Sequence, residues 1–429
     1  MDMQTALEWL QALPRLAGEP GLDRMRALLA ALGEPQKNCR YVQIAGTNGK
    51  GTVAALTANI LWRAGYKTGL TVSPYVLEFR ERFQIDGEMI PQETLEQLAG
   101  EVRAAAARCP EPPVQFEAVT AVALLWFSRE QCELAVLETG LGGRFDATNA
   151  VENTLVAAIT RIDLDHTELL GDTVARIAAE KAGIIKPRCT VVTYPVQEKE
   201  ALQVIAAECI KKKADLIAPA PEDFTFLKSG SFENRFDYGG YQVSLPFPGA
   251  HQACNAAMAV EIALALWRQG YAISDEAILA GLESAKFPAR IEVLRRAPLV
   301  VLDGCHNPSG AAVLAATLKA HHPEKPAAVL GVMADKAVDR LLAALAPAFS
   351  AVYTVTPATP RAMQAQELAR RAEPLLPPGK VRACADLSQA LDLALMQPQG
   401  AVICGSLYLA AEARPLLLAR LEKTADGLP

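Results

Sequence analysis

A glycine-rich segment with one lysine and two threonines follows a short apolar run and reads Gly46-Thr-Asn-Gly-Lys50-Gly-Thr52. A buried strand that ends in such a turn and leads into a helix is a common way to hold nucleotide phosphates, because backbone N–H groups and the helix N-terminus face the phosphate oxygens. Lys50 adds a positive charge, and the Thr52 hydroxyl can reach Mg²⁺. The strict phosphate-loop pattern has glycine where Ile44 stands and a hydroxyl where Gly51 stands, so a tight turn with a solvated lysine is the alternative.

Polar side chains also stand where two further apolar runs end. Ser73 follows the run at 67–72, and Glu138 closes the run at 133–138. Ligands of open α/β sheets bind at the carboxyl edge of the strands, which is where both side chains would lie. An isolated buried carboxylate is very unfavourable, so we expect Glu138 to pair or to bind a cation, and oxygen ligands suit Mg²⁺. The alternatives are a simple Ser-Pro turn for Ser73 and a helix cap or structural ion pair for Glu138.

Two histidines and a lysine occupy comparable positions. His166 follows a strand candidate in the run Asp-Leu-Asp-His, and His306 follows another in the run Asp303-Gly-Cys-His-Asn-Pro. Lys181 stands near the end of a helix candidate, where a lysine usually complements the helix dipole. A single histidine is more often a structural group than a ligand, so the residue types alone leave these roles open.

The elements that must position these residues alternate along the chain in a pattern typical of βαβ units. The predicted strands lie at 41–45, 67–72, 133–138, 154–160, 190–193, 299–303, 326–331, 351–355 and 400–404. The predicted helices lie at 52–64, 92–108, 115–129, 172–182, 197–212 and 251–269. Alternating aromatic residues at 222–247 indicate a small antiparallel β excursion.

We therefore predict an α/β protein of two domains. The N-terminal domain, residues 1–294, would hold a P-loop ATPase-like, mainly parallel sheet flanked by helices, together with the antiparallel excursion. The C-terminal domain, residues 295–429, would be a Rossmann-like α/β domain. The boundary is placed here because the apolar pattern lapses near residues 291–298, and a chain of this length exceeds what one hydrophobic core usually serves.

Composition excludes several classes of protein. Hydrophobic residues make up 51% of the chain and charged residues 21%, which is ordinary for a globular protein and excludes extensive disorder. The net charge of −6 argues against a nucleic-acid binder. With no basic start before an apolar core and no apolar run of about 18 residues, we expect neither a signal peptide nor a membrane span. Nine scattered cysteines indicate reduced thiols in a cytoplasmic protein. The lysine run Lys211-Lys-Lys213 is typical of the solvated C-terminal end of a helix.

Several segments together resemble the folylpolyglutamate synthase/dihydrofolate synthase family of the Mur ligase superfamily. They are the phosphate-loop segment, Glu138-Thr-Gly-Leu-Gly-Gly-Arg-Phe-Asp-Ala-Thr-Asn149, the run ending at His166, Glu180-Lys-Ala-Gly-Ile184, His251-Gln-Ala-Cys-Asn-Ala256, Pro288-Ala-Arg290 and Asp303-Gly-Cys-His-Asn-Pro308. The resemblance extends from about residue 20 to about residue 410. Its most specific part is the run that begins at Glu138.

The resemblance implies ATP and Mg²⁺ as cofactors, with two metal sites. Thr52, Ser73 and Glu138 would bind the first Mg²⁺. His166 would coordinate a second metal beside a carbamate formed on Lys181, and K⁺ is a further cofactor that the resemblance admits. The nucleotide contacts that the resemblance implies are Asn48, Gly49, Lys50, Gly51, Thr52, Asn255, Arg290 and Asp303.

The resemblance also implies where the substrates bind. The residues expected beside the pterin are Phe116, Glu117, Phe145, Asp146 and Ala147, although Glu117 alone also suits an ordinary helix start. His306 would lie near the incoming glutamate, where the hypothesis is that it acts as the base for the amine. The catalytic residues predicted in this way are Lys50, Lys181, His166 and His306.

The implied activity is ATP-dependent formation of an amide between L-glutamate and tetrahydrofolate, and also between L-glutamate and dihydropteroate, through an acyl phosphate. The alternatives are an enzyme that only extends folates, a cell-wall Mur ligase, and a P-loop ATPase without ligase activity. The partners would be small molecules, with neither nucleic acid nor membrane among them. A cytoplasmic monomer is expected.

Overall fold

The alternation of apolar runs and helical segments produces two α/β units in the computed structural model, which describes residues 5–15, 20–227, 232, 234–246, 248–285 and 287–425. The first unit contains the described residues up to Leu227, together with Phe236–Ser244 and Gln252–Ala285. The second contains the described residues among 228–235, 245–251 and 286–429. Each unit has its own main sheet and its own buried apolar core.

The first unit is built on an eight-stranded sheet. Its strands are β1 (Arg40–Ala45), β2 (Thr68–Thr71), β3 (Gln84–Ile85), β4 (Glu88–Met89), β5 (Leu134–Glu138), β6 (Thr154–Ile159), β7 (Thr190–Thr193) and β8 (Asp215–Ile217). Their spatial order is β4-β3-β2-β5-β1-β6-β7-β8. The strands from β2 to β8 in this order are parallel, and the hairpin of β3 and β4 adds an antiparallel edge. Because β1 lies between β5 and β6, the strand order reverses there, and a crevice at the carboxyl ends follows.

Helices cover this sheet. Those described before residue 286 are α1 (Ala6–Ala12), α2 (Asp23–Ala31), α3 (Lys50–Arg63), α4 (Gln92–Ala106), α5 (Gln115–Arg129), α6 (Thr167–Leu170), α7 (Val174–Ala182), α8 (Lys199–Lys212), α9 (Ala250–Arg268) and α10 (Asp275–Glu283). Every residue of β5 is buried, as expected for a strand covered on both faces. α8 ends at Lys212, and Lys213 follows in a left-handed conformation, so the lysine run lies at a helix C-terminus as predicted.

Three further strands form a separate antiparallel sheet and confirm the predicted excursion. They are β9 (Phe224–Phe226), β10 (Asn234–Tyr238) and β11 (Tyr241–Leu245). Aromatic rings line it, with the Phe224 and Tyr238 ring centroids 4.8 Å apart. Residues 228–231, 233 and 247 of the predicted segment lie outside the described residues.

The second unit is built on a six-stranded sheet in the order β12-β13-β17-β14-β15-β16. The strands are β12 (Glu292–Arg296), β13 (Leu299–Leu302), β14 (Ala327–Leu330), β15 (Ala351–Thr354), β16 (Val381–Ala383) and β17 (Ala401–Cys404). All are parallel except β12. Its helices are α11 (Pro308–His321), α12 (Val338–Leu345), α13 (Ala365–Ala372), α14 (Leu387–Leu395) and α15 (Leu407–Ala425).

The predicted α/β architecture is confirmed, and every predicted strand and helix agrees with the observed bounds within two residues. The second unit also contains β12, which begins at Glu292 and pairs with β13. This strand is polar and only half-buried, so it shows no apolar run. The nine cysteines are all free thiols, and seven are buried. Among the described residues, no helix is both long enough and apolar enough to cross a membrane.

Candidate active site

The phosphate-loop segment connects β1 to α3, in the crevice where the strand order reverses. α3 begins at Lys50, directly after Gly49, which has a left-handed backbone conformation (φ 89°). A side chain at Gly49 would lie 2.6 Å from the Asn255 amide oxygen, so the loop passes very close to α9. Thr52 is buried in the first turn of α3. The first turn therefore presents the backbone N–H groups and the hydroxyl that phosphate and Mg²⁺ require.

The loop is tied to the segment that follows β6. The N–H groups of Thr47 and Asn48 donate to the Arg161 carbonyl at 2.9 and 3.2 Å. The Thr47 hydroxyl donates to the Asp163 carbonyl at 3.0 Å, and the Asn48 amide donates to the Asp163 carboxylate at 3.3 Å. Asp163 thus acts as an anchor for the phosphate loop.

Two lysines converge on the carbonyl of Gly46. Lys50 Nζ lies 3.0 Å from this oxygen, and Lys181 Nζ from the end of α7 lies 2.6 Å from it. Lys181 is buried, and burial together with the positive charge of Lys50 lowers its pKa to about 7. The structure therefore brings together two of the four predicted catalytic residues, and burial disfavours the charged form of the Lys181 amine.

Glu138 and Ser73 meet at the ends of the neighbouring strands β5 and β2. The Ser73 N–H donates to Glu138 Oε2 at 2.8 Å, and the Glu138 side chain is buried. The hydroxyl of Thr139, the next residue, is buried without a hydrogen-bond partner among the described residues. Hydroxyl and carboxylate oxygens form the donor set that Mg²⁺ prefers, so these residues fit the predicted ion.

His166 lies at the same edge, directly before α6. Its backbone is left-handed (φ 50°), and its N–H donates to Asp165 Oδ1 at 2.9 Å. The same oxygen lies 4.0 Å from the His166 Nε2 atom. Within the part of the chain that the structure describes, no three His, Cys, Asp or Glu side chains form a metal-binding group.

The run that resembles the family most closely folds around Asp146. Its buried carboxylate accepts the N–H groups of Gly140 and Leu141, both at 2.9 Å, and the N–H and hydroxyl of Thr148 at 3.0 and 2.7 Å. Burial raises the pKa of Asp146, and these hydrogen bonds oppose that rise. Asp146, which is also a predicted substrate residue, therefore holds this loop in shape through four hydrogen bonds.

Close approach to α7 holds the same loop in place. The Arg144 N–H donates to the Glu180 carbonyl at 2.8 Å, and a side chain at Gly143 would lie 2.8 Å from the Lys181 carbonyl. At Gly183 a side chain would lie 2.5 Å from Arg144. The two motifs, far apart in sequence, therefore form one packed surface.

The other predicted pterin residues differ in exposure. Phe145 is 48% exposed, whereas Ala147 is buried. Phe116 lies under the loop, because a side chain at Gly140 would be 2.7 Å from its ring. Glu117 is buried, and its Oε2 atom accepts the Val114 N–H at 2.9 Å and Arg24 Nε at 3.3 Å. These contacts match the helix-start alternative for Glu117, while Phe145 offers an open aromatic face.

Polar residues of α9 support the loop from the other side. Asn255 is buried and donates to the Gln252 amide oxygen at 2.9 Å. Sequence reasoning identified the segment that holds Gln252 and Asn255 but missed Arg24 and Thr160. Thr160 matters because its hydroxyl would lie 1.8 Å from a side chain at Gly46. No sequence signal marks Thr160, since its importance arises only from the pairing of β1 with β6.

The second unit brings its own residues to the carboxyl end of β13. Asp303 is buried and accepts the Ile291 and Cys305 N–H groups, each at 2.8 Å. Burial raises the pKa of Asp303, although these hydrogen bonds and Arg290 oppose the rise. His306 Nδ1 lies 3.1 Å from the Gly304 carbonyl, which can only accept, so Nδ1 carries the hydrogen and Nε2 is the basic nitrogen.

Comparisons with known proteins agree with this arrangement. The family described as Mur ligase middle domain matches residues 44–263, and the one described as Mur ligase, glutamate ligase domain, matches residues 289–406. A folylpolyglutamate synthase of Lacticaseibacillus casei is 34% identical, covering 97% of this chain and 99% of its own length. A dihydrofolate synthase/folylpolyglutamate synthase of Bacillus subtilis is 36% identical, covering 85% and 87%.

A solved structure leads to the same family. The folylpolyglutamate synthase of Mycobacterium tuberculosis, complexed with ADP and AMPPCP, is 34% identical with a TM-score of 0.84, over 92% of this chain and 95% of that one. This chain belongs to the folylpolyglutamate synthase/dihydrofolate synthase family of the Mur ligase superfamily.

Proposed function

We propose that this protein is a bifunctional ligase, which adds L-glutamate both to tetrahydrofolate and to dihydropteroate at the expense of ATP. Amide-ligase activity on folates follows from its family. The observation that carries the proposal is the edge of the first sheet, where Lys50 and Lys181 meet at Gly46, beside the loop shaped by Asp146. The Bacillus subtilis relative, named for both activities, supports the dihydropteroate step.

The proposed reaction begins with transfer of the γ-phosphoryl group of ATP to the substrate carboxylate. Lys50 and the loop N–H groups bind and orient the phosphates, which matters because phosphoryl transfer depends mainly on positioning and charge neutralisation. The resulting acyl phosphate is attacked by the α-amine of glutamate, and phosphate leaves as the amide forms. His306, through Nε2, is proposed to take the proton from the amine.

Mg²⁺ is proposed at Thr52, Ser73 and Glu138, where it would neutralise phosphate charge. A second metal is proposed at His166 and a carbamate on Lys181, with K⁺ as a further ion. The support for the carbamate is the position of Lys181, buried beside Gly46 with a pKa near neutrality. Native mass spectrometry with bicarbonate should find the added carboxyl group in wild type and not in Lys181→Arg. A wild-type protein without the added mass would contradict the carbamate.

Nucleotide contacts are proposed for Asn48, Gly49, Gly51, Asn255, Arg290 and Asp303. The pterin is proposed to lie against Phe145, with Phe116, Asp146 and Ala147 forming and supporting that surface. The open ring of Phe145 supports this placement, since aromatic rings stack on one another favourably. We also propose that the protein acts as a cytoplasmic monomer on small molecules alone, to which its net charge of −6 is suited.

The test is product analysis by mass spectrometry with ATP, L-glutamate and each pterin in turn. The proposal expects dihydropteroate to become dihydrofolate and tetrahydrofolate to gain glutamyl residues. Extension of tetrahydrofolate alone would leave the alternative of a folate-extending enzyme. A product from neither pterin, with ATP still hydrolysed, would favour an ATPase without ligase activity.

A further inference from the structure

An ion pair that has no assigned role in the reaction borders the phosphate loop. Arg161 and Asp163 flank Ile162 in the segment that follows β6, and Arg161 Nε donates to Asp163 Oδ2 at 3.0 Å. The intervening Ile162 side chain is buried, whereas the two charged side chains keep some exposure to solvent. The two charges therefore meet beside the loop, at the carboxyl end of β6.

A single oxygen atom joins this ion pair to the phosphate loop. Asp163 Oδ2, which accepts Arg161 Nε, also accepts the side-chain amide of Asn48 at 3.3 Å. Asn48 directly precedes Gly49 and Lys50 at the start of α3, and it is a proposed nucleotide contact. Two hydrogen bonds thus connect the guanidinium, through the carboxylate, to a side chain of the loop.

The backbone of the loop is held in place by other contacts. Thr47 and Asn48 donate their N–H groups to the Arg161 carbonyl at 2.9 and 3.2 Å. The Thr47 hydroxyl donates to the Asp163 carbonyl at 3.0 Å and accepts the Asp163 N–H at 3.1 Å. These contacts use only main-chain atoms of Arg161 and Asp163, so substitution of the two side chains should leave them intact.

The ion pair adds little to the stability of the fold, but it changes the charge beside the loop. The side chain of Arg161 is 39% exposed and that of Asp163 is 20% exposed. Pairs with this much contact with water stabilise a fold only weakly, because solvent screens the charges. A carboxylate alone at this position would repel a polyphosphate bound by the loop, and the guanidinium cancels that repulsion.

We propose that Arg161 is a positioning residue for ATP, which neutralises and orients the Asp163 carboxylate so that Asp163 can hold the Asn48 amide beside the phosphates. This inference rests on the nucleotide site of the proposed function. A carboxylate suits the central position because one of its oxygens accepts both hydrogen bonds. Its negative charge is compatible with a neighbouring triphosphate only while a cation pairs with it.

The experiment measures the Kd of AMPPCP with Mg²⁺ by isothermal titration calorimetry, which requires no turnover. Arg161→Ala should raise this Kd roughly 10-fold, because it leaves an unpaired carboxylate beside the triphosphate. The double variant Arg161→Ala/Asp163→Asn keeps neither charge and should bind within about 3-fold of wild type. The loss in Arg161→Ala should also shrink at high salt, as expected for repulsion between charges.

Arg129→Ala and Arg129→Ala/Glu101→Gln are the matched controls, because Arg129 and Glu101 form a similarly exposed ion pair in the same unit. Both controls should bind the nucleotide as wild type does. An unchanged Kd in Arg161→Ala would overturn the proposal. An equal loss in Arg161→Ala and in its double variant would also overturn it, since Arg161 would then bind the phosphates itself or serve only the fold.

Steady-state kinetics provide a second readout. Arg161→Ala should raise KM for ATP by the same factor as the Kd, while KM for glutamate and for tetrahydrofolate stay unchanged. A general rise in all three KM values would contradict a role confined to the nucleotide. A wild-type protein that bound AMPPCP but formed no amide would refute the proposed ligase function, which is a separate result.

Discussion

In both main sheets the candidate residues lie at the carboxyl ends of parallel strands, which we call the first and the second edge. The surroundings of the two edges differ. At the first edge, Thr52, Glu138, Asp146 and Lys181 are all nearly inaccessible to solvent. At the second edge, Asp303 is buried, but Asp335 after β14 and Arg361 after β15 are exposed. Charges held in a dry, rigid setting interact more strongly than exposed ones, so the first edge is the better suited of the two to the proposed phosphoryl transfer.

The glycines show that the backbone is closely packed at both edges. A side chain at Gly46 would lie 1.8 Å from Thr160, and one at Gly49 would lie 2.6 Å from Asn255. At the second edge, a side chain at Gly304 would lie 2.2 Å from Leu407, and one at Gly405 would lie 2.8 Å from the Gly331 carbonyl. The two edges therefore differ in the exposure of their charged side chains and not in the packing of their glycines.

Substitution of Lys50 should have the largest effect on activity, because its positive charge is proposed to bind the phosphates at the first edge. Lys50→Ala is expected to lower kcat/KM for ATP by roughly 10²–10³-fold, as for other groups that stabilise charge in a transition state. The matched control is Lys67→Ala, since Lys67 forms an exposed pair with Glu130. An unchanged kcat/KM in Lys50→Ala would contradict a phosphate role for this loop.

Loss of His306 should have the next largest effect and should fall on another step. His306→Ala is expected to lower kcat at saturating glutamate by about 10²-fold, the lower range for a general base. His322→Ala is the control, because His322 Nε2 also lies near a carbonyl, that of Gln399 at 2.8 Å. Unchanged turnover at saturating glutamate would remove His306 as the base.

Substitution of Gly46 should test how closely the backbone is packed at the first edge. Gly46→Ala is expected to lower the free energy of unfolding by about 1–3 kcal/mol, because the new Cβ atom meets Thr160. Gly65→Ala is the control, since Gly65 also has a positive φ but no atom within 4 Å. Chemical denaturation measures the free energy of unfolding of both variants. Equal losses in the two would show that the positive φ, and not the contact with Thr160, causes the effect.

The smallest effect should come from Glu117, whose carboxylate is used within the fold. Glu117→Gln is expected to lower the free energy of unfolding by about 1–2 kcal/mol through the weakened contacts with Val114 and Arg24. A double-mutant cycle with Arg24→Ala isolates the ion pair. A large rise in KM for the pterin without loss of stability would instead support the predicted contact between Glu117 and the substrate.

The sequence predicted the sheets and their helices well because buried parallel strands are continuous apolar runs. The strands at 41–45 and 190–193 illustrate this, since both are almost wholly buried. β12 was missed because it is a half-exposed edge strand with the sequence Glu-Val-Leu-Arg-Arg. Its place in the sheet depends on pairing with β13, which no local pattern reveals.

The sequence predicted those site residues that stand directly at the end of a strand. Ser73 and Glu138 are two examples, and a hydrogen bond joins them in the structure. Contacts between distant segments were not predictable from residue types. The approach of Lys181 to Gly46 spans 135 positions, and the anchoring of Thr47 by Asp163 spans 116. Such contacts follow from the strand order, in which β1 lies beside β6.

The proposed function requires phosphoryl transfer at the first edge to be coupled to amide formation. The most direct test is phosphate release by the purified protein with Mg·ATP and L-glutamate, with dihydropteroate, tetrahydrofolate or no pterin. A bifunctional ligase should release phosphate with each pterin, one phosphate for each amide formed, and should release little without a pterin or without glutamate. Equal release under all conditions, pterin or not, would overturn the proposed function.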